Sequence, residues 1–254
     1  MKKNDKSPVS AWDVPLALVL LTRLPLPHLP EAVFSRQARA VWAYPLAGAV
    51  VGGLAVLFGW AGLALGLSAG PAAGIVLAAG ILLTGAMHED GLADSADGLW
   101  GGNDPGRRLE IMRDSRIGTY GVLALVLSAL LRWTALTALL ASAGLWALPA
   151  AALWSRALMP VLMGALPNAR GAGLSQSVGR PGLAPVAGGL LLGVVLGFLL
   201  GGAGFAAPAL LAALAALCVA ALARARIGGQ TGDILGAAQQ VAETAFLLTA
   251  SAML

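Results

Sequence analysis

Long apolar runs broken by short polar islands organise this chain, and the runs have the length of membrane-crossing helices. A bilayer core takes about 20 apolar residues of helix. Stretches near 41–67, 72–88, 119–141, 147–166, 184–203, 208–224 and 237–254 meet that requirement. An earlier run, 11–21, is too short and is followed by Pro25, Pro27 and Pro30, so it reads as a half-inserted or interfacial helix. The expected fold is therefore all-α: a polytopic integral membrane protein with about seven transmembrane helices plus a short N-terminal interfacial or re-entrant helix. No linker or internal repeat divides it, and residues 1–254 read as one membrane-embedded domain.

Composition agrees. Of 254 residues, 58% are hydrophobic and only 11% charged, with a mean hydropathy of +0.82. Soluble domains carry about 25% charged residues, so lipid must be the solvent for most of this surface. The net charge of +4 then reports basic loops beside a membrane, and no nucleic-acid partner is expected. Lys2, Lys3, Lys6, Arg23, Arg36 and Arg39 precede the first span. Arg107, Arg108, Arg113 and Arg116 lie between spans two and three, Arg170 and Arg180 between four and five, Arg224 and Arg226 between six and seven. The alternate connections, near 68–71, 142–146 and 204–207, carry no charge. If 11–21 does not cross, every basic loop shares one face, which the positive-inside rule makes cytoplasmic. The single cysteine, Cys218, sits in an apolar run and excludes an intrachain disulfide. Glycines such as Gly188, Gly189, Gly193 and Gly197 let helices approach closely and would suit a homodimer. Arg132 and Arg156 fall inside spans and should face the bundle interior with a partner.

Acidic residues are concentrated. Glu89, Asp90, Asp94, Asp97, Asp104, Glu110 and Asp114 are seven of the 12 in the chain. The run His88-Glu89-Asp90-Gly91-Leu92-Ala93-Asp94-Ser95-Ala96-Asp97-Gly98 continues directly from an apolar stretch. On a helix, positions 90, 94 and 97 fall within about 60° of one another. Three like charges on one face repel and call for a cation. Their hard oxygens favour Mg²⁺, Mn²⁺ or Ca²⁺ over zinc, and Mg²⁺ completes its shell with phosphate. That chemistry points to phosphoryl transfer. Gly91 and Gly98 permit close approach by a ligand or a second helix. His88 would orient or donate a hydrogen bond at the span end.

Two further islands follow. In the run 106–118, Arg113 and Arg116 form an i, i+3 pair able to clamp a phosphate or pyrophosphate, with Glu110 and Asp114 as an i, i+4 carboxylate pair beside them. In Gly228-Gly229-Gln230-Thr231-Gly232-Asp233, glycines, an amide, a hydroxyl and a carboxylate precede the final apolar helix, which suits a loop facing phosphate or metal. Gln239 and Glu243 carry polarity one and two turns further into that helix.

Together these islands resemble the cobalamin synthase, or adenosylcobinamide-GDP ribazoletransferase, family. The matching pieces are Thr22-Arg23-Leu24-Pro25, His88 to Gly98, Glu110 to Gly118, and Gly228 to Asp233 with Leu235-Gly236-Ala237, in family order over nearly the whole chain. The resemblance implies a phosphotransferase of the bacterial cytoplasmic (inner) membrane with its active site on the cytoplasmic side. It implies adenosylcobinamide-GDP and α-ribazole or its 5′-phosphate as substrates, GMP as the leaving product, and Mg²⁺ as the cofactor. On this reading Asp90, Asp94 and Asp97 would hold Mg²⁺. One of them or Asp233 would take the hydroxyl proton. Arg23, His88, Arg113, Asp114, Arg116, Gln230 and Thr231 would contact substrate. Assembly with other enzymes of the cobalamin pathway is a further expectation.

The CDP-alcohol phosphotransferases are the alternative. Their D-x-x-D-G start is matched by Asp94-Ser95-Ala96-Asp97-Gly98, but Gly101-Gly102 replaces Ala-Arg, and Gly106, Glu110 and Asp114 come five residues too early. A transporter or cation channel would spread its carboxylates over several spans near mid-membrane, whereas here they crowd at one interface.

Overall fold

The computed structural model describes residues 7–142 and 144–254; the lysines at 2, 3 and 6 lie outside the described residues. Twelve α-helices follow one another there: α1 (Asp13–Leu21), α2 (Gln37–Ala40), α3 (Tyr44–Ala64), α4 (Ala69–Thr84), α5 (Met87–Gly101), α6 (Pro105–Ile111), α7 (Thr119–Ala141), α8 (Ala147–Ala165), α9 (Leu174–Val178), α10 (Leu183–Gly201), α11 (Ala206–Ile227) and α12 (Gly232–Ser251). Among the described residues no strand forms; a single bridge joins Asn168 to Gln230.

Four stretches are long and apolar enough to cross a membrane singly: Glu31–Ala64, Thr119–Ala141, Gly144–Ala165 and Leu183–Ile227. Taken as one bent span, α4 and α5 make a fifth. The expectation of about seven differs from this for definite reasons. The expected spans 184–203 and 208–224 correspond to α10 and α11, which fall together in the stretch Leu183–Ile227; the chain breaks between them at Gly202 (φ 53°), and Phe205 packs back against Gly197. The expected span 237–254 belongs to α12, whose apolar character is diluted by Asp233, Gln239, Gln240 and Glu243. The expected span 72–88 ends early. Gly85 (φ 64°) and Ala86 (φ 58°) are both left-handed, and they turn the chain by 89° between α4 and α5.

At nine residues α1 is about 14 Å long, half a bilayer core. It is pinned by a buried ion pair, with Arg36 Nε 2.9 Å from Asp13 Oδ1 and the Trp42 indole donating to Asp13 Oδ2 at 2.9 Å.

The centre of the bundle is α8. Its membrane-length window is 78% buried, against 22% for α7. Close packing explains this: a methyl group at Gly52 of α3 would lie 2.7 Å from Pro149 Cα. Gly189, Gly193 and Gly197 of α10 likewise rest against Trp42, Trp154 and Phe205, as small residues do where membrane helices touch. Leucines 127, 130, 191, 199, 210 and 217 are exposed on α7, α10 and α11, where lipid is the natural neighbour.

Candidate active site

The acidic run forms its own helix, α5, and crosses the start of α12. The crossing is possible because two glycines meet. A methyl group at Gly91 would lie 2.8 Å from the Asp233 carbonyl oxygen, and one at Gly236 would lie 3.3 Å from His88 Cα. The two ends of the chain's chemistry are thereby joined. Asp94, half-buried, lies in electrostatic reach of Asp90, Asp233, Arg170 and Asp97. Asp90 beside it is exposed.

One cation enters this cluster that no local pattern announces. Arg170 Nη2 donates to Asp233 Oδ2 at 2.6 Å, and its buried Nε has no hydrogen-bond partner. The loop that carries it is built by Asn168, whose Oδ1 accepts from the Arg170 and Gly171 amides at 3.0 and 2.8 Å. Backbone bonds from Ala169 N to Gln230 O (2.9 Å) and from Gln230 N to Pro167 O (2.8 Å) clip it to the α11–α12 connection. Asn-Ala-Arg-Gly is legible as a turn; its encounter with a carboxylate 63 residues later is not.

The other expected site residues fall into distinct places. Asp97 turns inward and caps α7, accepting from Gly118 N at 2.7 Å and Gly121 N at 2.9 Å. Each of its oxygens thus accepts one backbone N–H, which ties α5 to the start of α7. Gln230 and Thr231 build the loop: Gln230 Oε1 accepts from the Ser175 hydroxyl at 2.6 Å, and Thr231 caps α12 through Ile234 N. Arg113 and Arg116 do not form a helical clamp, because α6 stops at Ile111. Arg113 is exposed, and exposed Arg116 grips Asp114 at 2.7 Å. That guanidinium holds the Asp114 carboxyl below its ordinary range. Glu110 pairs with Arg107 rather than lining up with Asp114. Arg23 is exposed and lies across Gly85 at the α4–α5 turn. His88 is buried on the opposite face of α5 from Asp90 and Asp94. Gly98, like Gly91, admits a neighbouring segment and not a ligand: it rests on the Arg108 carbonyl of α6 and on Met112 just after that helix.

Behind α5 lies an ionic network. Arg132 approaches Glu89 at 3.3 Å and Glu243 at 3.8 Å, and Arg156 approaches Glu243 at 3.3 Å. Gln240 Nε2 donates to Glu89 at 3.1 Å and Gln239 Nε2 to Glu243 at 2.6 Å. Both intramembrane arginines therefore face the interior with partners, as expected. Two arginines and two glutamates balance, and they join α5, α7, α8 and α12. Among the described residues no three histidine, cysteine or acidic groups converge into a ready metal cage.

Fold and site define a multi-pass membrane protein whose polar chemistry is gathered where an acidic helix crosses its last helix. The chain belongs to the cobalamin-5-phosphate synthase family, whose profile matches residues 13–251. Similar proteins named adenosylcobinamide-GDP ribazoletransferase occur in Mesorhizobium japonicum, 46% identical over 95% of this chain and 93% of that one, and in Bradyrhizobium diazoefficiens, 48% identical over 94% and 93%. The protein of that name in Azorhizobium caulinodans is 46% identical over 93% and 94%. No solved structure matches the chain.

Proposed function

We propose that this chain transfers adenosylcobinamide phosphate from adenosylcobinamide-GDP to α-ribazole or its 5′-phosphate, with release of GMP, at the cytoplasmic face of the bacterial inner membrane. The observation that carries this reading is the α5–α12 crossing, which gathers Asp90, Asp94, Asp233 and Arg170 in a chain whose relatives bear that enzyme's name. In the reaction the ribazole 3′-hydroxyl attacks the cobinamide-linked phosphorus. A new O–P bond forms, the bridging P–O bond breaks, and GMP leaves with that electron pair. Asp94, placed among the other carboxylates, is the group we assign to take the hydroxyl proton. Arg170, with its Nε free to donate, is the phosphate contact.

The donor set fits Mg²⁺. Asp90 and Asp233 offer only hard oxygens, and Mg²⁺ ordinarily takes one or two carboxylates and completes its shell with phosphate and water. When bound, Mg²⁺ supplies charge neutralisation on the pyrophosphate. The direct test mixes detergent-purified protein with adenosylcobinamide-GDP, α-ribazole phosphate and Mg²⁺ and looks for the joined corrin product and GMP by mass spectrometry. Products that disappear with Asp94→Ala or EDTA support the reading; folded protein that forms neither product overturns it.

A further inference from the structure

His88 has a role that the carboxylate crossing does not use. It is 1% exposed, and neither ring nitrogen has a hydrogen-bond partner. Buried polar groups are nearly always paired, so an orphaned imidazole points to a missing partner. His88 lines a cavity bounded by Tyr44, Met87, Met159, Met163 and Ser175, which leaves ≈ 50 Å³ for the centres of water-sized molecules, its walls standing a water radius farther out. The lining is mainly apolar. Thioether sulfur and aromatic carbon make good contacts with a flat ring. A second cavity, ≈ 180 Å³, adjoins the first, sharing Leu20, Met87 and Leu174 with it, and has the exposed Arg23 on its wall. The inner cavity also touches Gly232, next to Asp233, and Gly236, which meets α5 at the crossing.

Resting on the functional reading above, we propose that this inner cavity takes the flat nitrogenous base of the nucleoside acceptor, with His88 hydrogen-bonded to the base's free ring nitrogen. An apolar slot with one convergent polar group is how proteins orient a largely apolar ring. The ribose then reaches the crossing past Gly232 and Gly236.

The test measures KM separately for each substrate in wild type, His88→Leu, His88→Asn and Met163→Phe, with thermal melting to confirm folding. His88→Leu and Met163→Phe are expected to raise KM for α-ribazole by about tenfold or more while KM for adenosylcobinamide-GDP stays within about twofold, the discrimination one hydrogen bond or one filled slot provides. His88→Asn, which keeps an N–H donor, should recover part of the loss. An acceptor with C–H in place of the free ring nitrogen should be penalised by wild type and not by His88→Leu. Equal changes for both substrates, or none, overturn the proposal. If wild type turns over neither substrate, the functional reading fails separately. Calorimetric titration with α-ribazole then decides the cavity: binding weakened by His88→Leu upholds it, and no binding by wild type overturns it.

Discussion

Asp90, Asp94 and Asp97 share a helix face, yet their surroundings give them different work. Asp94 sits among carboxylates at the crossing, whereas Asp97 spends both oxygens on the amides that open α7. Asp94→Asn should therefore lower kcat by about 10²–10⁴, the worth of a positioned proton acceptor, and leave thermal melting unchanged. Asp97→Ala should instead lower the melting temperature, because it strips a charged cap from the start of α7 and leaves the buried Gly121 amide unpaired. Comparable kcat losses with no change in melting for both variants would sink this division. Asp13 offers a pH test. Burial alone would raise its carboxyl, but Arg36, the Trp42 indole and the Ser10 amide outweigh it and hold the group below its ordinary value. A depressed carboxyl contributes stability above its unfolded value, near pH 4, and loses it as pH falls through the lower folded value. Melting measured from pH 7 downward should fall in that acid window for wild type, and the Asp13-dependent part of the fall should be absent in Asp13→Asn. That variant is less stable at pH 7, since it removes the buried carboxylate charge that Arg36 pairs with.

At the scale of elements, the turn between α4 and α5 and the crossing of α5 over α12 place the chemistry. Ala86 is the one non-glycine residue with positive φ among the described residues. A left-handed alanine costs about 1–2 kcal/mol, so Ala86→Gly should raise stability by about 0.5–1 kcal/mol after the greater freedom of unfolded glycine is counted. A lower melting temperature for Ala86→Gly would contradict this. Gly91→Val should do the reverse. Its side chain meets Asp233 backbone rather than a pliable side chain, costs about 1–3 kcal/mol of overpacking, and parts Asp94 from Asp233, so activity falls with stability. The helices themselves were readable in the sequence, because apolar runs of bilayer length have few other solutions. The α-helical reading of 88–98 and the polar loop before α12 were readable for the same local reasons. The break at Gly85-Ala86 was not, since alanine gives no sign of a left-handed turn. Nor was Arg170, whose partner lies 63 residues away, nor the inward turn of Asp97, which depends on where α7 packs.

Across the whole molecule, the balanced network of Arg132, Arg156, Glu89 and Glu243 links the acidic helix to the bundle's centre. Glu89 stands one residue before Asp90, so whatever holds Glu89 also sets how α5 is rotated over α12. Hydrogen bonds between membrane helices average only about 0.6 kcal/mol, but removing one partner from a buried charge group costs about 3–5 kcal/mol because its counter-charge is left behind. Glu243→Gln leaves both arginines facing Glu89 alone. It should lower the melting temperature in detergent and, by loosening α5, reduce kcat without touching substrate. Restoring the balance with Arg156→Gln in the same chain should recover much of both losses, whereas a network that serves only to fill space would show additive losses in the double variant. Thermal melting and turnover of wild type, the two single variants and the double variant distinguish these outcomes, and additivity in both measurements would remove the link between the charged core and the site.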